Sequence, residues 1–514
     1  MPGGLRRIAG FLAGRSGPGA LRARLANPLR WLGIMFSRPP RGNVADARAG
    51  AMGVLNSGTR ARGPSGRRPS LVPWSLVALG AALYPAMMAA NPVRQSGARR
   101  RIGLRDLGPG LLTGVADDDP SNIATYSQVG ARFGYQMLWT LWVFYPLVAV
   151  IQQVSAQMAR ATGKGLAENL REHFPPWICY SLVAALLVAN VINIGADLMA
   201  MGGAARLLWG GPRLAYAVGF LVVIVSLEVW IRYERYARVL EVLSLSLLAY
   251  VITAFSVRVD WHQALVNLVP TVMPGRHYAT ALVAIAGTTI SPYLLFWQAG
   301  QEAEIAQRDP GKQPLVVRPA QAPRELRRIR FDTYIGMALS QIVGFFIVVT
   351  AAATLGAHGI SHVDTAAAAA AALAPLAGPW TQALFAAGLV ATGLLAIPAM
   401  AGACAYALAG VFRWPQGLEA RVGAAPRFYL VLVAVCVAGL GVAFLPVDSM
   451  RALYLSAALN GIVAVPLLVF MMILSRRRSV MGRFIVSNAL LIIGWVATLV
   501  MIAAALMLVK SWIA

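Results

Sequence analysis

The sequence predicts an all-α membrane protein with about 11 transmembrane helices. Of its 514 residues, 58% are hydrophobic and only 13% are charged, so the chain lacks the charged surface that a water-soluble protein of this size needs. Apolar stretches of about 20 residues, long enough to cross the hydrocarbon core of a bilayer, recur along the chain with short polar connections. Two of these stretches are interrupted near their centres by polar residues and proline.

Residues 1–103 differ in composition from the rest of the chain. Through residue 101 they contain 17 arginines, no lysine and one acidic residue, Asp46, and so carry +16 of the total net charge of +25. The segment is rich in Gly, Pro, Ala and Arg without sustained periodicity, which predicts a disordered N-terminal extension. Residues 71–90 are long enough to span, but insertion would carry about 13 arginines across the membrane. An interfacial segment or an overlong start, with Met87 or Met88 as the true start, fits better.

The transmembrane domain is predicted over residues 104–514, with eleven spans. They are 107–129, 137–159, 175–200, 214–231, 239–257, 279–300, 333–357, 378–411, 428–447, 452–475 and 484–509. Lysine and arginine number 20 in the connections on one side of these spans and 7 on the other. The positive-inside preference therefore places the N-terminus in the cytoplasm and the C-terminus outside, and we expect a bacterial inner membrane.

The cysteines and the charge exclude several other classes of protein. Cys179, Cys404 and Cys436 all lie in apolar stretches without CxxC spacing, which indicates packing residues rather than disulfides or a thiolate metal site. The positive charge does not indicate a nucleic acid partner, because most of it lies in the N-terminal extension.

The first span carries three consecutive carboxylates, Asp117, Asp118 and Asp119, directly before Pro120. A carboxylate near the bilayer centre costs about 2.5–3.5 kcal/mol on insertion scales, so three in a row need cations, water or unwound backbone nearby. Proline removes a helical hydrogen-bond donor, and Pro120 with Ser121 therefore predicts a break in the helix.

The sixth span is interrupted in the same way, by Gly287, Thr288, Thr289 and Pro292. Breaks at matching places in two halves are typical of a 5+5 inverted-repeat transporter, in which unwound carbonyls and half-helix ends form a cation site. We place the repeats at about 104–257 and 279–475, with 484–509 as an extra helix.

The stretch DPSNIATYSQVGARFGYQMLW, followed by ATGKGLAENLREHF, resembles the first two spans and the following loop of the natural resistance-associated macrophage protein (Nramp) family of divalent-metal transporters. The resemblance implies a leucine-transporter-type fold and alternating access. The family signature Asp-Pro-Gly-Asn corresponds to Asp119-Pro120-Ser121-Asn122. By this match Asp119 and Asn122 are side-chain ligands of the metal, and Ala116 lends a backbone carbonyl.

The sixth span departs from the family pattern. Where the family has Met-Pro-His, with the methionine sulfur on the metal, this chain has Ser291-Pro292-Tyr293. The remaining ligands are then oxygens, from the Thr288 carbonyl and Ser291, and oxygen favours Mg²⁺ and Mn²⁺ over softer ions. Family relatives that lack the methionine are associated with these two ions. We expect a wide, hydrated pocket in which Asp117, Asp118 and Tyr293 form an outer shell or pathway.

Two further departures concern proton coupling. In the third span Asp197 is present, but the second acid of the family pair is replaced by Ala200, and the ninth span has no arginine inside it. Proton coupling needs such titratable relays and is therefore in doubt. Near the glutamine of the family's tenth span stands Asn460, also a candidate pathway residue.

Simpler interpretations stay open for three of these features. The Asp117–Asp119 run is a loop if the span boundaries are misplaced, Asp197 caps an unwound neighbour, or Ser291 bonds to its own helix. An organic-solute symporter of the same fold is the alternative function, although the acidic cluster repels a carboxylate substrate. An intramembrane aspartyl protease is disfavoured because the sequence around Asp197 is IGADL. We expect no catalysis, no cofactor and no obligate protein partner; the divalent ion is the substrate.

Overall fold

The computed structural model describes residues 108–231, 247–271, 273, 275–308, 311–363, 366–373, 380–444 and 448–513. Over these ranges the regular secondary structure is entirely helical. The predicted N-terminal extension, residues 1–103, lies outside the described residues.

Seventeen α-helices make up the described part of the chain. In chain order they are α1 (Pro109–Asp117), α2 (Pro120–Phe133), α3 (Leu138–Thr162), α4 (Leu166–His173), α5 (Pro176–Trp209), α6 (Arg213–Trp230), α7 (Leu248–Ser256), α8 (Trp261–Val266), α9 (Arg276–Thr289), α10 (Pro292–Arg308), α11 (Ala322–Thr354), α12 (Ala366–Ala371), α13 (Thr381–Phe412), α14 (Pro426–Ala443), α15 (Ser449–Arg476), α16 (Arg478–Met481) and α17 (Asn488–Ile513). Among the described residues, nine helical segments are long and apolar enough to cross a membrane. The predicted first span corresponds to the broken pair α1 and α2, and α7 is the described end of the predicted fifth span; neither is among these nine.

Both predicted breaks are confirmed. α1 ends at Asp117 and α2 begins at Pro120, with Asp119 as the N-cap that accepts a hydrogen bond from the Asn122 N–H. The sixth span divides between α9 and α10, and the second half begins at Pro292. In each case proline stands at the first position of the second half-helix, where its missing N–H costs nothing.

Backbone N–H groups at the start of the first half-helix, α1, hold it against a side chain of α11. The Asp332 carboxylate of α11 accepts hydrogen bonds from the N–H groups of Gly108, Gly110 and Leu111, at 3.0, 2.8 and 2.9 Å, and so satisfies the free donors at the N-terminus of α1. One turn further, a Cβ at Gly114 would fall on the backbone of α11. Glycine is therefore required at this contact.

Several helices are longer than the spans predicted for them. α5 continues to Trp209, α10 continues to Arg308, and α11 begins at Ala322, eleven residues before the predicted 333. For α10 and α11 the predicted ends stopped at charged residues, and several of those charges are paired inside the protein. Arg328 of α11 bonds Glu302 of α10 at 2.6 Å and Glu325 at 3.1 Å. Paired charges can continue a buried helix where isolated charges cannot.

The packing divides most of the helices into two groups. The first group contains α1, α2, α3, α10 and α11, and the second contains α5, α6, α13 and α14. α15 packs on both α5 and α9, and α10 is the principal helix of the first group that contacts α13 of the second. The three cysteines are free and buried.

Candidate functional site

The candidate site lies where the two helix breaks face each other. Asp119 is 2% exposed and stands at the start of α2. Its Oδ1 accepts hydrogen bonds from the Ser121 hydroxyl at 2.5 Å and from the Asn122 backbone N–H at 2.9 Å. Its Oδ2 lies 3.3 Å from the Tyr293 hydroxyl of α10. The carboxylate is thus fixed by donors from both broken spans.

The Asn122 side chain connects the breaks directly. Its Nδ2 donates to the Asp117 carbonyl, and its Oδ1 accepts from the Thr288 hydroxyl near the end of α9. The hydroxyls of Ser121 and Thr288 lie 3.2 Å apart. The two half-helix junctions therefore share one polar network.

Tyr293 touches two of the predicted ligands. Its hydroxyl is 3.0 Å from the Ala116 carbonyl, which the end of α1 exposes, and also reaches Asp119. A hydroxyl has one hydrogen, so Tyr293 shares it between the two acceptors. The sequence predicted Tyr293 as an outer shell or pathway residue, and in the structure it contacts two of the predicted ligands directly.

Ser291 bonds to its own helix. Its hydroxyl donates to the Gly287 carbonyl at 3.0 Å and the Thr288 carbonyl at 2.9 Å, across the break between α9 and α10. In this conformation, therefore, Ser291 bonds to its own helix, which is the simpler of the two interpretations of this residue. The hydroxyl oxygen keeps acceptor capacity, and the Thr288 carbonyl it contacts is itself a predicted ligand.

Asp117 and Asp118 occupy the break rather than a loop. They are 1% and 7% exposed, and Asp117 Oδ2 accepts a hydrogen bond from the Ser340 hydroxyl of α11 at 2.6 Å. The other oxygen of Asp117 and Oδ1 of Asp118 have no hydrogen-bond partner among the described residues. The interpretation of this run as an exposed loop is therefore wrong.

Asp197 and Asn460 are buried on neighbouring helices, at 0% and 1% exposure. Within the described ranges, neither oxygen of Asp197 and neither polar side-chain atom of Asn460 has a hydrogen-bond partner, which disfavours a capping role for Asp197. Asn460 precedes Gly461, whose backbone packs against Gly287 at the end of α9. It therefore lies beside the second break.

The site is closed in this conformation. Every predicted site residue is at most 7% exposed. The wide pocket expected from the sequence is absent from this conformation, in which hydroxyl groups hydrogen-bond the predicted ligand oxygens instead. No group of three His, Cys, Asp or Glu side chains in the described ranges could hold a metal alone. A cation here would need carbonyl, amide and hydroxyl oxygens beside the carboxylate.

The sequence interpretation missed two polar contacts of this region. Ser340, which donates to Asp117, lies in the apolar span IGMALSQIVGFF, and the Asp332 cap lies in a stretch predicted as a loop. A serine or an acid within or beside an apolar span is the signal that could have identified them, because a buried polar group needs a partner.

The sequence model of the natural resistance-associated macrophage protein-like family matches residues 110–511, which is most of the chain. The chain belongs to the Nramp family.

Two Nramp relatives are similar over almost their whole length. The divalent metal cation transporter MntH of Deinococcus radiodurans is 29% identical over 419 residues, which cover 79% of this chain and 89% of that protein. MntH of Burkholderia ambifaria is 28% identical over 436 residues, with coverage of 82% and 92%.

Solved structures agree with the Nramp fold. The Eremococcus coleocola manganese transporter in complex with an aromatic bis-isothiourea substituted compound has a TM-score of 0.61 at 18% identity, covering 82% of this chain and 91% of that one. Mhp1, a nucleobase-cation-symport-1 family transporter, has a TM-score of 0.50 at 17% identity, covering 79% and 93%. At these identities the likeness shows the fold alone. The predicted leucine-transporter-type fold, with breaks in the first and sixth spans, is confirmed.

Proposed function

We propose that this chain transports divalent metal cations across a bacterial inner membrane by alternating access, with Mg²⁺ and Mn²⁺ favoured. The proposed ligands are the side chains of Asp119, Asn122 and Ser291 and the carbonyls of Ala116 and Thr288. Asp117, Asp118, Tyr293, Asp197 and Asn460 are the proposed outer shell or pathway. The N-terminus is proposed to be cytoplasmic and the C-terminus outside.

The observation that carries the proposal is the hydrogen bonding of the ligand oxygens. Asp119, the Ala116 carbonyl, the Asn122 Oδ1 and the Thr288 carbonyl each accept from a hydroxyl of the site. Hydroxyl groups rotate without backbone movement, so a cation can replace these hydrogens and take over the same oxygens. Each neutral hydrogen bond is worth only about 0.5–1.5 kcal/mol net, which makes the exchange reversible.

The chemistry of the oxygens supports hard ions. Carboxylate, carbonyl and water oxygens suit Mg²⁺ and Mn²⁺, whereas thioethers select softer metals. The relatives named above are a divalent metal cation transporter and a manganese transporter. Asp117 and Asp118 place two further carboxyl groups beside the site, and in their ionised form these oppose the anionic substrates of the alternative organic-solute symporter.

Mn²⁺ uptake into proteoliposomes tests the proposal. Asp119→Asn keeps the side-chain shape and one carbonyl oxygen but removes the charge, and we expect uptake to fall by about 100-fold or more, since outer-shell groups alone are worth about 10–100-fold. The matched control is Asp260→Asn, because Asp260 is likewise an N-cap that accepts from the N–H three residues on, yet it is exposed. The control should retain wild-type uptake.

The result that would remove the site assignment is wild-type Mn²⁺ uptake by a well-folded Asp119→Asn variant. Uptake of an amino acid, and no uptake of metal, by the wild-type protein would support the symporter instead.

A further inference from the structure

Glu304 joins the end of α10 to α13 and to the connection after α13. Its Oε2 accepts a hydrogen bond from the Tyr406 hydroxyl at 2.6 Å and from the Leu418 N–H at 3.0 Å. Its Oε1 accepts from the Glu419 N–H at 3.0 Å and pairs with Arg308, one turn later on α10, at 2.7 Å. Each carboxylate oxygen therefore has two donors, and three of the four lie in the second helix group or its connection.

The connection is shaped around this carboxylate. Gly417 has a φ of +138°, and a Cβ there would lie 2.7 Å from Glu304 Oε1, so only glycine fits. The Tyr429 hydroxyl of α14 donates to the carbonyls of Leu418 and Ala420, at 3.0 and 2.8 Å, and fixes the next residues. The second group and its connection thus hold a fixed set of hydrogen-bond donors that bind the Glu304 carboxylate at the end of α10.

The position of this contact relates it to the ion site. α10 begins at the site, with Tyr293, and ends at Glu304 and Arg308. Alternating access moves one helix group against the other around a central site. Opening on the side where α10 ends must separate α10 from α13, and the three bonds of Glu304 to Tyr406, Leu418 and Glu419 must break for that movement to occur. By contrast, Glu302 of α10 pairs with Arg328 inside the first group and is not affected.

We propose that Glu304 is a gate latch, whose bonds to Tyr406, Leu418 and Glu419 hold the protein closed on the side that the charge distribution assigns to the cytoplasm. The inference rests on the proposed alternating access. It assigns Glu304 a positioning role, because the residue does not touch the ion site.

Distances between spin labels, measured by double electron–electron resonance, test the latch. The labels are placed at Val317, in the connection bonded to the end of α3, and at Val422, after the latched connection, because both side chains are exposed. The full-length protein carries them with its three buried cysteines replaced by alanine. Glu304→Gln should raise the fraction of molecules with the longer label-to-label distance by at least about fivefold. This corresponds to a change of about 1 kcal/mol in the free-energy difference between the closed and open states. The control, Glu302→Gln, should leave the distance distribution unchanged.

Transport kinetics separate gating from simple loss of structure. Because the ion site is untouched, Glu304→Gln should keep the KM for Mn²⁺ within about twofold while the maximal rate changes about threefold or more. Tyr406→Phe removes one donor and keeps the ring, so it should shift the distances in the same direction if Glu304→Gln does not fold.

An unchanged distance distribution in the latch variants, or an equal change in Glu302→Gln, would overturn the proposal. The distance measurement needs no metal, so a failure of the proposed substrate would be seen separately, in wild-type uptake.

Discussion

Four hydroxyl groups, those of Ser121, Thr288, Ser291 and Tyr293, donate to the oxygens proposed to bind the ion. They keep buried carbonyl and carboxylate oxygens hydrogen-bonded in the closed conformation, where an unsatisfied polar group would cost about 1–3 kcal/mol. All of the proposed ligands are oxygen atoms, and none is a sulfur atom. Selectivity should therefore depend on which side chain stands at position 291.

Replacing Ser291 with methionine should move the preference toward soft ions. We expect the ratio of Cd²⁺ to Mg²⁺ uptake to rise by about tenfold, which corresponds to about 1.4 kcal/mol of differential binding, because a thioether displaces a water and offers a hard ion less. The matched controls are Ser291→Ala, which removes the hydroxyl and its two hydrogen bonds to the Gly287 and Thr288 carbonyls, and Ser291→Leu, which removes the hydroxyl and adds bulk without sulfur. An equal shift in Ser291→Leu would show that size, rather than sulfur, sets the preference.

The sequence was informative about charged and helix-breaking residues of the site and less so about its hydroxyls. The unwound turn at Asp119 could be predicted from the residues, because proline and three carboxylates inside an apolar span require one. The grouping of Asp119 with Asn122 and the Ala116 carbonyl followed from the resemblance to the family signature. The position of Tyr293 against two ligands could not, since it depends on how α10 packs on α1.

At the scale of elements, the breaks are encoded locally and the helix ends are not. Proline places the start of α2 and of α10 from sequence alone. The extension of α11 back to Ala322 depends on partners from other helices, because Arg328 bonds Glu302 of α10. Such pairing cannot be read from hydropathy, which treats every charge as exposed.

The N-terminus of α1 depends on the Asp332 cap. Asp332→Ala removes the acceptor for three N–H groups and should lower the stability of the folded protein by about 2 kcal/mol, the upper range for loss of a cap. Denaturation of the purified protein measures this. Asp260→Ala removes an exposed cap that accepts from one N–H group, and should have a smaller effect. An equal loss in the two variants would contradict the anchoring role of Asp332.

The helices α5 and α14 contain the positions at which the sequence departs from the family's proton-coupling residues. Asp197 of α5 has no hydrogen-bond partner among the described residues, and the single arginine of α14, Arg427, lies in its first turn with its guanidinium 5.5 Å from the Trp414 ring centroid. We therefore expect metal to enter down its own gradient and the membrane potential with little acidification. A pH-sensitive dye inside the liposomes checks this. Proton influx in step with metal would show that a different set of groups carries the proton.

At the scale of the whole molecule, most of the described helices pack into two groups, the proposed ion site lies at the helix breaks, and α10 is the principal contact of the first group with α13 of the second. The recurrence of membrane-spanning helices and the two breaks could be predicted, because bilayer thickness and proline act locally. The grouping of helices could not, because it depends on close contacts such as that of Gly114 with α11. The predicted repeat boundaries at about 104–257 and 279–475 stay predictions.

In the proposed mechanism, divalent cations pass through a site made of oxygen ligands. Competition in wild-type proteoliposomes tests it most directly, with Mn²⁺ and Cd²⁺ uptake each measured against excess Mg²⁺. Mg²⁺ gives up water reluctantly and is usually held by one or two carboxylates with several waters retained, which Asp119 with Asp117 and Asp118 can provide when the site opens. We predict that excess Mg²⁺ inhibits the uptake of both ions. Cd²⁺ uptake that excess Mg²⁺ leaves unchanged would contradict the account.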